Sequence, residues 1–200
     1  MEAIPALCNR ALRHRRKSEY GTALKVLNSA LTIIYEEKDD AVGAGEVAQL
    51  ARAKVRLNMA SLLSQMGKHE RSLQEAQWGT AEVRRWLNQV KTSVGELEHR
   101  PHCGEHEQAL VVAIMGHHAI AQELKFLGKP KEMVTVQHNM ALKVARCLPP
   151  THPIVSFIEH EAAGIEMKRR QHKKSPRPDD HAGARSPKKY QLITQIRLMK

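Results

Sequence analysis

Aromatic residues are scarce: two Trp, three Tyr and two Phe in 200 residues. Sandwiches and barrels of β-strands lean on aromatic and β-branched side chains, so this scarcity argues against an all-β core. Long apolar runs are missing too. The longest strictly apolar run, 109–115, falls far short of the roughly 20 residues that a membrane-spanning helix needs. Cysteines number three, Cys8, Cys103 and Cys147, odd in count and widely spaced. That is no disulfide framework, and it suits a reducing compartment. The start of the chain has no apolar signal-peptide core. Its arginines invite comparison with a mitochondrial presequence, but Glu2, Pro5 and Glu19 dilute that pattern.

Charge of one sign is abundant and unevenly placed. The net charge is +11, yet residues 168–200 alone carry +9 and residues 1–167 only +2. The chain is a nearly neutral body with a basic C-terminal arm. A second basic cluster, Arg13, Arg15, Arg16 and Lys17, lies near the N-terminus. Such segments are drawn to polyanions: nucleic acid, anionic lipid or acidic protein surfaces.

The body reads as helix after helix. Ala23, Leu24, Leu27, Ala30, Leu31 and Ile34 recur at steps of three and four. A loop follows at Glu37-Lys38-Asp39-Asp40 through Gly43 and Gly45. Val47, Leu50, Ala51, Val55, Met59, Leu62, Leu63 and Met66 form the next stripe, which Gly67 closes as a C-cap. Leu73, Ala76, Gln77, Thr80, Val83 and Leu87 mark a further helix, with Trp86 beside the stripe. The pattern lapses from Lys91 to Glu107, around Gly95, Pro101 and Gly104. It resumes with Leu110, Ile114, Ala121, Leu124 and Phe126, and Gly128 stops it. Met133, Val136, Met140, Ala141 and Val144 mark another helix, broken by Pro149-Pro150. Ile154, Phe157, Ile158, Ala162 and Ile165 give the last helix of the body. The methionines at 59, 66, 115, 133 and 140 fall on these stripes and read as core filling. Residues 171–189 are polar and read as disordered in isolation.

Helix pairs joined at a glycine suggest an internal repeat. The clearest unit is 53–86, with Ala60, Leu63, Gly67, His69, Ser72 and Ala76 at the offsets of a tetratricopeptide repeat, which it resembles. A second unit, about 114–147, has Ala121, Leu124, Gly128 and Met133. Its end, Ala141-Leu142-Lys143-Val144-Ala145 followed by Pro150-Thr151-His152-Pro153, is similar to the kinesin-light-chain type of repeat. A degenerate first unit over 4–37 has Ala11, Tyr20, Ala23, Leu24, Ala30 and Leu31, with Ser18 in place of the hairpin glycine. The family's tryptophan position holds Arg56 and His117 here, and the small-residue positions 23, 72 and 133 lie 49 and 61 apart rather than at the regular interval. Insertions must separate the pairs.

The resemblance implies an all-α, right-handed α-α superhelix of about three helix pairs, closed by a helix near 153–170 and followed by a basic arm. The expected domains are 1–170 and 171–200. Packing between helices falls to Ala11, Ala23, Ala30, Ala60, Leu63, Gly67, Ser72, Ala121, Leu124, Gly128 and Ala141. Members of the family also clamp a partner's C-terminal carboxylate. Asn9, Lys54 and Asn58 fall near such positions, but Met115 and Ala119 stand where the clamp needs a Lys and an Arg.

Chemistry-bearing clusters are thin. His99, His102, Cys103 and His106, with His117 and His118 after them, are zinc-ligand types without a paired C-x-x-C. The stretch 99–106 reads as an exposed loop. Cys103 beside His102 and His106 has no nucleophile elbow, and no phosphate-binding glycine loop is present. The expectation is a non-enzyme without cofactor or metal.

The arm carries Lys168, Arg169, Arg170, Lys173, Lys174, Arg177, Arg185, Lys188 and Lys189 for an acidic partner surface. Ser175-Pro176 and Ser186-Pro187-Lys188-Lys189 are basic Ser-Pro motifs of the kind proline-directed kinases favour, and they resemble those of linker-histone tails and microtubule-associated proteins. Phosphate on Ser175 or Ser186 would weaken binding to a polyanion. Leu192, Ile193 and Ile196 form a short docking segment at the end. Short repeat proteins with basic arms are similar to accessory subunits of microtubule and ciliary assemblies. The expected role is a protein-interaction scaffold in a larger complex, in the cytoplasm on the cytoskeleton, the cilium or flagellum axoneme included, with tubulin or another acidic surface as partner. The alternative is an RNA-associated helical-repeat protein, such as a peripheral ribosomal subunit, with a mitochondrial location among the options. A basic stripe on the concave face would favour RNA; a neutral face would favour protein.

Overall fold

The structure, a computed structural model, describes residues 3–36, 44–93 and 104–174. They form seven helices: α1 (Ala3–Arg16), α2 (Tyr20–Glu36), α3 (Ala44–Gln65), α4 (His69–Ser93), α5 (Gly104–Phe126), α6 (Lys131–Ala145) and α7 (Pro153–Lys174). The fold is all-α, with no strand among the described residues. None of these helices is long and apolar enough to cross a membrane. The chain divides into two units, Met1–Gly164 and Ile165–Lys200, with the division falling inside α7. The described part of the second unit is the remainder of that helix.

Three connections are the same turn. Ser18, Gly67 and Gly128 hold φ of 60°, 70° and 63°. After each, one amide reaches back five residues: Glu19 N–H to His14 O at 3.0 Å, Lys68 N–H to Leu63 O at 2.9 Å, and Lys129 N–H to Leu124 O at 2.9 Å. The left-handed residue itself donates three residues back, to Arg15, Ser64 and Lys125. This is the Schellman ending, which satisfies the last carbonyls and reverses the chain. Its recurrence makes α1–α2, α3–α4 and α5–α6 three hairpins of one kind. They are spaced 49 and 61 residues apart. Long helices take up part of the excess, with 25 residues in α4 and 23 in α5.

The hairpins pack in chain order. α2 lies on α3 and α4 on α5, while α1 touches α3 and α3 touches α5. One apolar cluster joins α1, α2 and α3 through Ala11, Ala23, Leu27, Ala30, Ile34, Val55 and Met59. A second joins α3, α4 and α5 through Leu50, Ala53, Val83, Trp86, Ala109 and Val112. A third brings Ala60, Ala76, Ile120 and Leu124 together, with Val134 against them. Helix α3 therefore feeds all three. Small residues set its distance from α4: Gly79 sits so close that an added Cβ would meet Ala53 O at 3.1 Å and Leu57 Cγ at 3.2 Å. Buried Ser72 ties the same hairpin by donating to Ala60 O at 2.7 Å.

After α6, His152 starts α7. Its Nδ1 accepts the Ile154 N–H at 3.2 Å, capping the helix that Pro153 opens. Nε2 then carries the ring proton and lies 3.4 Å from Glu107 Oε1 on α5.

Several stripes are rotated from the sequence expectation. Met133 and Val136 are 47% and 55% exposed, so they are surface residues and not core filling; α6 buries His138, Ala141 and Ala145 instead. Phe126 is also exposed, stacked on the His69 ring at 4.6 Å. In α4 it is Trp86 that is buried and Gln77 that faces out. Helix α4 continues to Ser93 and α5 begins at Gly104, both inside the stretch expected to be loop.

Candidate functional site

Because α1, α3 and α5 lie side by side, the first helices of the three hairpins share a face. Two hydrogen bonds mark it. Arg15 Nε donates to Gln65 Oε1 at 3.2 Å, joining α1 to α3. Lys54 Nζ donates to Gln108 Oε1 at 2.8 Å, joining α3 to α5. Asn58 and Ser61 fall between Lys54 and Gln65 at helical spacing and are half-buried. On α5, Met115, Ala119 and Gln122 continue the line from Gln108, also half-buried. On α1 the line is Cys8, Leu12 and Arg15.

The electrostatics of this face are local. Burial lowers the Lys54 pKa, while the Glu105 carboxylate and the Cys8 thiol oppose that shift. Burial raises the Cys8 pKa, against the pull of Lys54. A thiol so placed is held in its protonated form, the inert one for nucleophilic chemistry. The two cations on these lines, Arg15 and Lys54, each hold a glutamine oxygen. The face is polar with apolar patches, and it carries no basic stripe.

The four residues Lys54, Asn58, Met115 and Ala119 of the carboxylate-clamp expectation fall on the lines of this face, Lys54 and Asn58 on α3 and Met115 and Ala119 on α5. Asn9 does not join them: it is exposed and lines a shallow recess with Ala6, Leu12, Arg13 and Arg16. Of the positions assigned to helix packing, Ala11, Ala23, Ala30, Ala60, Leu63, Ser72, Ala121, Leu124 and Ala141 are buried, and Gly67 and Gly128 are exposed turn residues. His106, expected in a loop, lies in the first turn of α5 with its ring 6.2 Å from that of Trp86, and His117 and His118 belong to the buried side of the same helix. His99, His102 and Cys103 lie outside the described residues, and no group of three or more metal-ligand side chains occurs among those described. Lys168, Arg169, Arg170, Lys173 and Lys174 fall on the last turns of α7. Ser175, Arg177, Arg185, Ser186, Lys188, Lys189, Leu192, Ile193 and Ile196 lie outside the described residues.

Sequence reasoning missed a second cluster, on the side where α2, α3 and α4 meet. Arg56 Nη1 donates to Glu75 Oε2 at 2.8 Å and Nη2 to the Tyr35 hydroxyl at 2.9 Å. Its guanidinium also lies 4.8 Å from the Trp78 ring centre, and that of Arg52 lies 5.4 Å from the Tyr35 ring centre. Burial lowers the Arg56 pKa, but Tyr35 and Glu75 outweigh it and keep the charge in place. Tyr35 and Trp78 remain 52% and 45% exposed. The one signal in the sequence was Arg56 at the repeat's tryptophan position.

A third cluster is buried. The His118 ring of α5 meets His138 of α6 at 6.0 Å and Phe157 of α7 at 5.2 Å, both edge-on. Burial, then the neighbouring His138, pushes the His118 pKa down to about 4. Burial lowers His138 too, with Glu161 opposing and Lys125 reinforcing. None of the family models, curated proteins or solved structures compared with the chain matches it.

Proposed function

We infer that the protein is a non-catalytic interaction scaffold, a right-handed stack of three helical hairpins of tetratricopeptide-repeat type, working as a subunit of a larger assembly. The observation that carries this reading is the shared face of α1, α3 and α5. Its cations are fixed by Gln65 and Gln108, and Asn58, Ser61, Met115 and Gln122 fill the rest. Such a mixed surface suits a protein segment, whereas a helical RNA reader presents repeated charge or base-selecting side chains. The concentration of +9 in residues 168–200 supports an arm that lies along an acidic surface. Microtubules, in the cytoplasm or in a cilium, are the partner we favour, with phosphorylation of Ser175 and Ser186 as the release signal.

Co-sedimentation tests this directly. The full chain and a full-length Arg185→Gln/Lys188→Gln/Lys189→Gln variant are spun with stabilised microtubules across a salt series, beside an RNA-binding titration. Pelleting that is salt-sensitive and weakened by the substitutions, with feeble RNA binding, supports the scaffold. Strong RNA binding without pelleting transfers the reading to a ribonucleoprotein subunit.

A further inference from the structure

The side of α1 turned away from α3 is distinct from the shared face. At 3.6 residues per turn, Ala3, Ala6, Arg10 and Arg13 lie about opposite Cys8 and Arg15. All four are exposed, and Asn9 and Arg16 flank them. The shallow recess of Ala6, Asn9, Leu12, Arg13 and Arg16 runs along this side.

Its charge is of one sign among the described residues. Residues 3–16 include four arginines and no acid. Among the described residues, the first carboxylate after the helix, Glu19, is held by His14 Nδ1 at 2.6 Å. Elsewhere in the fold some arginines are matched in place, Arg56 with Glu75 and Arg52 and Arg85 with Glu82, while exposed Arg71 and Arg84 of α4 and Arg146 at the end of α6 stand singly. Arg10, Arg13 and Arg16 have no ion-pair partner among the described residues. Three guanidiniums on successive turns, with small residues beside them, are arranged for a ligand that carries acids at the same pitch.

We propose that this side of α1 docks an acidic amphipathic helix of a partner protein, laid along α1 as one more helix of the stack. Ala3 and Ala6 let a second helix approach closely. Glutamates three and four residues apart on that helix meet Arg10, Arg13 and Arg16, whose planar heads pair with carboxylates through two hydrogen bonds. Other polyanions fit less well. Helix α1 has no Phe, Tyr or Trp to stack a base, and its one imidazole, His14, is held by Glu19. Its one bulky apolar residue along the recess, Leu12, is half-buried, too little to anchor the helix in a lipid bilayer. The inference rests on the protein-binding reading of the fold and assigns it a second surface with a defined partner chemistry.

The test uses the full chain and a fluorescein-labelled helical peptide of roughly 20 residues, with an alanine-leucine stripe flanked by glutamates at three- and four-residue spacing. Anisotropy is compared for the wild type, Arg10→Gln/Arg13→Gln/Arg16→Gln, and the arm variant Arg185→Gln/Lys188→Gln/Lys189→Gln. The α1 variant is expected to bind about tenfold more weakly, as three exposed ion pairs allow, while the arm variant binds as the wild type does. A scrambled peptide of equal composition should bind poorly. Equal binding of the scrambled peptide, loss only in the arm variant, or tighter binding of duplex RNA through the same arginines each overturns the proposal. If the triple variant does not fold, Arg13→Glu replaces it, with a set of peptides in which one glutamate at a time is exchanged for lysine, and one of these single charge swaps must restore binding. Microtubule pelleting that survives while peptide binding fails removes this surface and leaves the scaffold reading standing.

Discussion

Ser18 does at the first hairpin what glycine does at the other two, and it does so with a side chain. A left-handed conformation costs an L-residue about 1–2 kcal/mol, partly offset by the greater freedom of unfolded glycine. Ser18→Gly should therefore raise stability by about 0.5–1 kcal/mol, and Gly67→Ala should lower it by about 1 kcal/mol; urea midpoints of the two variants check the opposite signs. These turns were legible because a glycine, or a serine in its place, stood at a fixed offset from an alanine. Gly116 was not legible. It faces Thr80, and an added Cβ there would overlap Thr80 Oγ1. That hydroxyl cannot swing away without losing its hydrogen bond to Ala76 O at 2.7 Å. Gly116→Ala should cost about 1–3 kcal/mol as an overpacked contact. The penalty should shrink in a Thr80→Ala background, which a double-mutant cycle on thermal unfolding would read.

At the scale of the helix, what hydropathy hides is the buried polar residue. His138 counts as polar, so the apolar stripe of α6 was drawn through Met133 and Val136, a face that points to solvent. The same holds for His117, His118 and Glu123, all buried on α5. His117 Nδ1 donates to Gln137 Oε1 at 2.8 Å, and Glu123 receives His69 Nδ1 at 2.8 Å. Partners of this kind lie 20 and 54 residues away in the chain, and no local pattern marks them. The junction of α5, α6 and α7 should consequently respond to acid. Folding holds His118 and His138 below the ordinary histidine pKa of 6.5, so their contribution to stability is complete above pH 6.5. As pH falls through the window between 6.5 and about 4, the unfolded chain takes up the proton first and that contribution is lost. For His118 alone the loss by pH 5 is about 2 kcal/mol. Urea unfolding at pH 7.5 and pH 5 should show this loss in the wild type and a smaller one in His118→Leu/His138→Leu. An equal loss in both would place the acid sensitivity elsewhere.

For the molecule as a whole, the all-α class and the order of helices could be read from periodicity, because each stripe needs only its own window. Which helices touch could not, except through the repeat resemblance. The arrangement over Ala3–Ala145 is one of near neighbours: contacts run from each helix to the next, and from α1 to α3 and α3 to α5. Stability in such an arrangement is a sum over adjoining pairs. Leu27→Ala, in the buried cluster of α1, α2 and α3, should cost about 2–5 kcal/mol and loosen that region first. Hydrogen exchange should quicken across α1 and α2 while α5 and α6 stay protected; uniform quickening would show a single cooperative block. Neighbour packing also bears on how the chain is made. The first hairpin has its partner as soon as α3 leaves the ribosome. Trp86, however, shares its cluster not only with Leu50, Ala53 and Val83 before it but with Ala109, Val112 and Ala113 well beyond it in the chain, past the stretch 94–103. At translation speeds of about 5–20 residues per second, that indole goes without α5 for about 1–5 s on every nascent chain. During that interval the N-terminal half is folded on one side and open on the other, which makes it the stage of synthesis where a chaperone has most to cover.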